Sequence, residues 1–227
     1  MTIHHPHDIY QQPSGGSFYS PFNLRVDRMQ RLLLINFQRD PDTVYLGFEP
    51  AGCTNRLSWQ GTRDVGAAVT FLQAHDETKA IGGLGSSLGG EVLLGAASEY
   101  PALKAIAADG TTTRSLDELT ALPSERPLYR NFTARVMYAA VQILSGETPP
   151  VPLLDSMIAA PSTSYLLIAG GDDMEVAFNE LFAAATPDRS QLWIAPAAPH
   201  TGAFGLYPDE YEQRVIAFFD RVVLDQK

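Results

Sequence analysis

The chain alternates short, continuous apolar runs with segments whose apolar residues recur at helical spacing, and this alternation restricts the fold more than any other feature. The apolar runs lie at 31–37, 80–84, 103–108, 165–169 and 192–195. Runs of this kind are typical of parallel strands buried on both faces. Strands that alternate with helices form right-handed βαβ units. The sequence therefore predicts an α/β protein, a three-layer α/β/α sandwich with a mainly parallel sheet.

Three helical segments can be placed between and after these strands. The first follows Asp64 and ends near His75, and the second covers 91–98. The third is the final helix of the chain, with Pro208 near its first turn and acidic residues close to the positive end of its dipole. Its apolar stripe consists of Tyr211, Val215, Phe218, Phe219 and Val222. These helices are expected to cover the sheet.

The organisation of the chain is predicted as one domain with two irregular parts. Residues 1–30 lack periodicity and are expected to form an N-terminal arm, and residues 31–227 form a single domain. A loop rich in Pro, Gly and Asn is expected from the end of the first strand to about Gln60. A helical insert at about 111–160 is apolar between 135 and 144. That helix could cover the sheet or form a lid over a pocket, and the sequence favours neither.

Charge and cysteine content exclude several classes of partner. The chain has 16 Lys and Arg against 26 Asp and Glu, a formal net charge of -10. This charge repels phosphate backbones and anionic lipid, so we expect no nucleic-acid and no membrane partner. Cys53 has no second cysteine to pair with, and Met1 is not followed by a secretion signal. The sequence predicts a soluble, cytoplasmic protein, and it does not fix an oligomeric state.

One short motif indicates a nucleophilic serine. Residues Gly85 to Gly89 match the pattern G-x-S-x-G, and they follow a predicted strand and open a predicted helix. The central serine of such a turn is exposed on a strained backbone, and the flanking glycines let strand and helix approach. Ser87 is therefore the candidate nucleophile, because Ser86 has Leu84 rather than glycine two residues before it.

A serine hydroxyl needs a base, and His200 is the best placed of five histidines. It follows the last predicted strand and precedes the final helix, which places it at the carboxyl edge of the sheet with Ser87. The other four are expected to serve no catalytic role, three in a solvated arm and one as a surface cap beside Asp76: His4, His5, His7 and His75.

The base in turn needs a carboxylate, which should follow the preceding strand. The segment Gly170-Gly-Asp-Asp-Met174 supplies two. Asp173 is preferred, because the acid usually lies three residues after the glycine that ends the strand, here Gly170, and Asp172 is the alternative. One of the two is expected to cap the helix that begins near Met174. The chain order Ser87, Asp173, His200 is the order found in α/β-hydrolases.

Several sequence pieces resemble the α/β-hydrolase superfamily, near its esterase and dienelactone-hydrolase-like branch. They cover about 46–224 and begin at Asn55, Arg63, Gly85, Ala108, Leu167, Pro199 and Pro208. The resemblance implies that Ser87 attacks the carbonyl of a small-molecule ester while His200 acts as base and then acid. It also implies that Asp173 orients His200 and that the Leu88 N–H is one donor of an oxyanion hole. No cofactor and no metal are expected.

The sequence departs from this family at its N-terminal side. It lacks the family's first strands and any His-Gly pair that would donate the second oxyanion hydrogen bond. We therefore expect the strand at 31–37 either to pair directly with the strand before Ser87 or to leave an open edge. If the sheet closes in this way, the end of that strand is expected beside Ser87, with a second donor near Gln38 and Arg39. The expected activity is a weak esterase. The alternatives are an inactive hydrolase-fold protein that binds a small ligand or partner, and a peptidase or acyltransferase with the same residues.

Overall fold

A six-stranded sheet organises the chain, in the order β2-β1-β3-β4-β5-β6. The computed structural model describes residues 31–36, 43–47, 59, 61–74, 80–121, 128–146 and 148–224, the first two ranges as backbone only. The predicted N-terminal arm, Cys53 and the histidines at 4, 5, 7 and 75 lie outside these residues.

Four strands form the parallel half of the sheet. They are β3 (Ile81–Ser86), β4 (Leu103–Asp109), β5 (Ser164–Ala169) and β6 (Ser190–Ile194). Each pairs in parallel with the next, so their carboxyl ends share one edge. The four corresponding apolar runs are confirmed as strands. β3, β4 and β5 are buried along most of their length, as expected for inner parallel strands, whereas the edge strand β6 is only partly buried.

The other two strands are antiparallel to their neighbours. β1 (Arg31–Asn36) lies between β2 (Thr43–Gly47) and β3 and is antiparallel to both. The predicted direct pairing with the strand before Ser87 is confirmed, but the predicted parallel direction is wrong. Only 37–42 separate β1 from β2, too few residues for a parallel crossover. β2 itself falls in the segment expected to be a loop, because a five-residue strand in a turn-rich stretch has little pattern.

Eight helices are described. They are α1 (Gly61–Gln73), α2 (Leu88–Ala96), α3 (Leu116–Ala121), α4 (Leu128–Ser145), α5 (Leu153–Ala159), α6 (Asp173–Ala185), α7 (Ala203–Leu206) and α8 (Pro208–Phe219). One π-helical turn, Asp220–Leu224, continues α8. The helices expected after Asp64, from 91 and from Pro208 are confirmed as α1, α2 and α8. None of the helices in the described ranges is long and apolar enough to span a bilayer.

Alternation along the strands divides the core into two layers. On β4, Ile106 and Ala108 face a cluster with α1, α2, α5 and α6, whereas Ala105 and Ala107 face a cluster with α7 and α8. Successive strand residues point to opposite faces, so each of the strands β3 to β6 supplies both layers. The three-layer α/β/α sandwich is therefore confirmed.

The start of α6 provides a first test of local stability. Asp172 is the N-cap, and its Oδ1 accepts hydrogen bonds from the N–H groups of Met174 at 3.0 Å and Glu175 at 3.1 Å. We expect Asp172→Ala to lower the free energy of unfolding by about 1 kcal/mol, whereas Asp172→Asn, an equally good cap, should change it little. Urea unfolding of both variants checks this. Equal losses in the two would show that charge rather than capping matters.

Candidate active site

The turn between β3 and α2 places Ser87 at the carboxyl edge of the sheet. Ser87 has φ 52° and ψ -123°, a backbone conformation that residues other than glycine rarely adopt. Its N–H donates to the Asp109 carbonyl oxygen on β4 at 2.6 Å. A Cβ on Gly85 would lie 2.5 Å from the Gly89 and Gly90 backbone, so only glycine allows this approach. The predicted strained turn with close glycine packing is confirmed.

Three side chains form one hydrogen-bonded chain at this edge. The Ser87 Oγ lies 2.9 Å from His200 Nε2, and His200 Nδ1 lies 2.7 Å from Glu175 Oε2. Because Nδ1–H donates to the carboxylate, Nε2 is left to accept the serine proton. The predicted pairing of Ser87 with His200 is thus present in the geometry.

The carboxylate beside His200 is that of Glu175, so the expected position of Asp173 is wrong. Asp172 caps α6, and Asp173 is the first helical residue, with an exposed side chain. Glu175 lies two residues further on, and side chains of a helix lean toward its N-terminus. Glu175 therefore reaches back over the start of α6, where its Oε1 also accepts the Gly170 N–H. Its side chain is 1% exposed, against 51% for His200.

A sequence signal for Glu175 existed. Asp172 and Glu175 have the three-residue spacing of a capping box, in which the later carboxylate reaches back toward the helix start. Here that carboxylate accepts from Gly170 and His200 instead of the cap residue. The spacing indicates which acid turns back, but only the placement of His200 shows what it meets.

A second contact, which the sequence did not reveal, fixes α6 against β4. Asn179 lies one turn after Glu175 and is fully buried. Its Nδ2 donates to the Thr111 carbonyl at 2.9 Å and to the Glu175 carbonyl at 2.8 Å, while its Oδ1 accepts from the Thr111 hydroxyl at 3.0 Å. These bonds hold the helix that carries Glu175 beside the end of β4.

The electrostatics of the site favour a protonated His200. The hydrogen bond to Glu175 raises the pKa of His200 above its ordinary 6.5 against the opposing effect of partial burial, and the charges of Glu175, Asp109 and Glu91 act in the same direction. Opposite charge favours the imidazolium form. The arrangement can therefore stabilise the cation that forms when His200 accepts a proton.

The backbone N–H of Leu88, the residue after Ser87, was predicted to be one oxyanion donor. Leu88 is the first residue of α2, and first-turn N–H groups have no partner within a helix. The second oxyanion donor was expected from the backbone just after β1. Gln38 and Arg39 lie outside the described residues, and β1 ends with Asn36 opposite Ile81, at the edge away from Ser87. The expectation that β1 ends beside the turn at Ser87 is therefore wrong, because β1 runs antiparallel to β3.

The insert packs beside this edge. The buried residues of α4, Tyr138 and Val141, pack with Trp59 and with residues of α3. The Trp59 indole N–H donates to the Arg114 carbonyl at 3.0 Å. Glu118 accepts from Arg114 N–H, from both donors of Ser115 and from the first amide of α5. The insert is thus anchored by a buried carboxylate, and α4 lies on α3 and Trp59.

A cavity of about 190 Å³ lies between α3, α5 and α6. Neither Ser87, His200 nor Glu175 lines it, so it is separate from the hydrogen-bonded chain. Among the described residues no group of three His, Cys, Asp or Glu side chains is arranged to hold a metal ion.

The fold is similar to that of solved α/β hydrolases. An esterase from Pyrococcus furiosus has a TM-score of 0.56 at 22% identity, covering 80% of this chain and 70% of that one. The α/β hydrolase GrgF from Penicillium sp. sh18 has a TM-score of 0.52 at 16% identity, covering 81% and 80%. A proline iminopeptidase from Mycobacterium smegmatis has a TM-score of 0.51 at 15% identity, covering 82% of each.

No family model and no curated protein matches the sequence. At these identities the structural similarity shows a shared fold and does not transfer an activity. The predicted resemblance in fold is confirmed.

Proposed function

We propose that this chain, whose fold is that of the α/β hydrolases, is a serine hydrolase that cleaves carboxylic esters through an acyl-enzyme. The observation that carries the proposal is the continuous hydrogen-bonded chain from Ser87 Oγ through His200 to Glu175. A nucleophile, a base and a carboxylate in this order are what acyl transfer by serine requires.

In the proposed first half-reaction, His200 Nε2 takes the proton of Ser87 as the Oγ attacks the ester carbonyl. The C–O bond to the leaving alcohol then breaks, and His200 returns the proton to that alcohol. Glu175 keeps the proton on Nδ1 and stabilises the imidazolium. In the second half-reaction a water takes the place of the alcohol, and His200 takes its proton as the water oxygen attacks the acyl carbonyl. The bond between the acyl carbon and Ser87 Oγ then breaks, His200 returns the proton to Oγ, and the free acid leaves.

The developing oxyanion is proposed to accept a hydrogen bond from the Leu88 N–H. Loss of one donor from such a hole costs roughly 100- to 1000-fold in turnover. The insert that packs on Trp59 is proposed to form one wall of the acyl pocket, since it is anchored beside α2. Leu88 N–H is the only oxyanion donor that we assign among the described residues. Activity should therefore favour esters whose good leaving groups need little stabilisation of the oxyanion.

An ester panel tests this function and its expected weakness. We expect hydrolysis of p-nitrophenyl acetate and butyrate, turnover on the matching ethyl esters lower by roughly 100-fold or more, and no hydrolysis of the matching anilides. Turnover on ethyl and p-nitrophenyl esters within tenfold of each other would show a complete oxyanion hole. Absence of hydrolysis of every ester by pure, folded protein would favour the inactive ligand-binding alternative.

The pH dependence of the reaction should report on His200. Protonated His200 cannot accept the serine proton, so activity is lost as pH falls through the pKa of His200 and rises as pH increases. Because Glu175 raises that pKa, the midpoint of the acid limb should lie above 6.5. Measurement of kcat/KM from pH 5 to 9 checks this. A midpoint below 6 would contradict the placement of Glu175 against His200.

A further inference from the structure

A second carboxyl lies behind the candidate site and has no part in the mechanism above. Asp109 is the last residue of β4 and is 2% exposed. Its backbone oxygen accepts the Ser87 N–H at 2.6 Å, which holds the strained turn in place. The same residue therefore fixes the nucleophile's backbone and places a carboxyl inside the protein at the edge where the reaction would occur.

The side chain of Asp109 is incompletely partnered. The Tyr211 hydroxyl of α8, itself 2% exposed, donates a hydrogen bond to the carboxyl. The Oδ1 atom is buried and has no hydrogen-bond partner among the described residues. Burial of an unsatisfied carboxyl oxygen costs folding free energy. An apolar residue at this position would avoid that cost, so the carboxyl calls for an explanation beyond stability.

The groups that face this carboxyl come from three elements. They are Glu175 on α6, His200 in the loop after β6 and Tyr211 on α8. Glu91 on α2 also acts on His200, and its Oε1 is held by the Thr112 backbone and hydroxyl at 3.0 Å each. Asp109 and His200 thus interact electrostatically across the edge of the sheet, with Glu175 acting on both.

The residue after Asp109 brings the end of β4 against the imidazole ring. Gly110 has φ 71°, and a Cβ built on it would lie 3.1 Å from His200 Cε1 and 3.2 Å from Nδ1. Gly110 N–H donates to the Ile168 carbonyl on β5 at 2.8 Å. The backbone that carries Asp109 therefore lies against Ser87 on one side and His200 on the other, so the residue is held at a fixed place relative to both.

We infer that Asp109 acts through His200, whose protonated form its carboxylate stabilises. Its buried carboxyl, tethered by Tyr211, supplies a second negative charge behind the imidazole in addition to that of Glu175. This inference deepens the proposed function and rests on it only for its kinetic consequence. The electrostatic relation between the two side chains exists whether or not Ser87 is acylated.

The sign of the effect follows from the charges. Burial and the charge of Glu175 raise the pKa of Asp109 to about 7, so its carboxyl gains and loses its proton in the same pH range as an imidazole. Ionised Asp109 stabilises protonated His200, and neutral Asp109 does not. Removing the charge should therefore lower the pKa of His200. It should also weaken the stabilisation of the imidazolium formed during catalysis.

The experiment is an NMR titration of the His200 ring carbon and proton in the full chain, assigned by the signal lost in His200→Ala. We expect Asp109→Asn to lower the titration midpoint of His200 by about one pH unit. Tyr211→Phe removes the donor to Asp109 and favours its neutral form, so it should lower the midpoint by a smaller amount. Asp188→Asn, which removes one exposed carboxylate just before β6, is the matched control and should leave the midpoint unchanged.

The outcomes separate this inference from the proposed function. An unchanged His200 midpoint in Asp109→Asn overturns the inference whatever the enzyme does with esters. If Asp109→Asn does not fold, Tyr211→Phe decides, and an unchanged midpoint there overturns it. When the wild type hydrolyses esters, the acid limb of kcat/KM in Asp109→Asn should move down with the midpoint. A midpoint that moves in a protein inactive on esters supports the inference and rejects the proposed function.

Discussion

Ser87→Ala is expected to abolish covalent labelling by a fluorophosphonate probe and to lower ester turnover by roughly 10⁴- to 10⁶-fold. A serine hydroxyl is unreactive at neutral pH unless a base takes its proton, and Ser87 Oγ lies 2.9 Å from His200 Nε2. His200→Ala should lose a similar factor, because nucleophile and base act as one unit. Intact-mass spectrometry of labelled protein and p-nitrophenyl acetate kinetics measure the two effects.

Ser86→Ala is the matched control for this experiment. Ser86 is the neighbouring residue at the end of β3 and is half-buried like Ser87, but the elbow turn and the contact to His200 belong to Ser87. Ser86→Ala should be labelled at one site and should turn over at close to the wild-type rate. Equal labelling of wild type and Ser87→Ala would reject Ser87 as the nucleophile, and loss of labelling in Ser86→Ala alone would transfer the role to Ser86.

Glu175→Gln is expected to lower kcat by about 10⁴-fold, whereas Asp173→Asn should stay within about twofold of the wild type. The Glu175 carboxylate accepts the Nδ1 proton of His200 at 2.7 Å, and it is buried where water cannot replace it. An amide offers its NH₂ group as readily as its oxygen, so it no longer fixes the tautomer with Nε2 free. Asp173 is exposed at the first position of α6.

The comparison between these two variants removes the ambiguity that folding defects would cause. Both change one carboxylate to its amide within the first turn of α6, so both perturb the helix dipole in the same way. Circular dichroism and urea unfolding should show that both variants are folded. A large loss of turnover in Asp173→Asn with near-normal Glu175→Gln would place Asp173 against the base during catalysis.

Both proposals place a negative charge near His200, but they predict different effects when that charge is removed. Glu175 is hydrogen-bonded to the ring, so its loss should affect the tautomer and the rate together. Asp109 acts through space, so its loss should shift the titration midpoint of His200 and leave the orientation of the imidazole ring unchanged. Comparing the pH profiles of Glu175→Gln and Asp109→Asn therefore separates a group that orients the imidazole from one that only supplies charge.

The sequence by itself determined the parts of the structure that local patterns encode. The apolar runs at 103–108 and 165–169 became β4 and β5, because continuous apolar runs bounded by polar turns suit strands buried on both faces. The G-x-S-x-G spacing determined the elbow, because Gly85 and Ser87 must meet steric demands within five residues. His200 was found by its position after the last strand, since carboxyl ends of parallel strands meet at one edge.

Only the tertiary structure decided the direction of β1, which acid lies beside His200, and the burial of Asp109 near the candidate site. The direction of a strand cannot be read from an apolar run. The short connection makes β1 antiparallel to β2, and because β2 and β3 run in the same direction, β1 between them is antiparallel to both. Asp173 and Glu175 differ by two positions on a helix, so which one faces His200 depends on how α6 is rotated against the sheet. Asn179 and Thr111, 68 residues apart, fix that rotation. Contacts of such separation are set by packing, which no local pattern records.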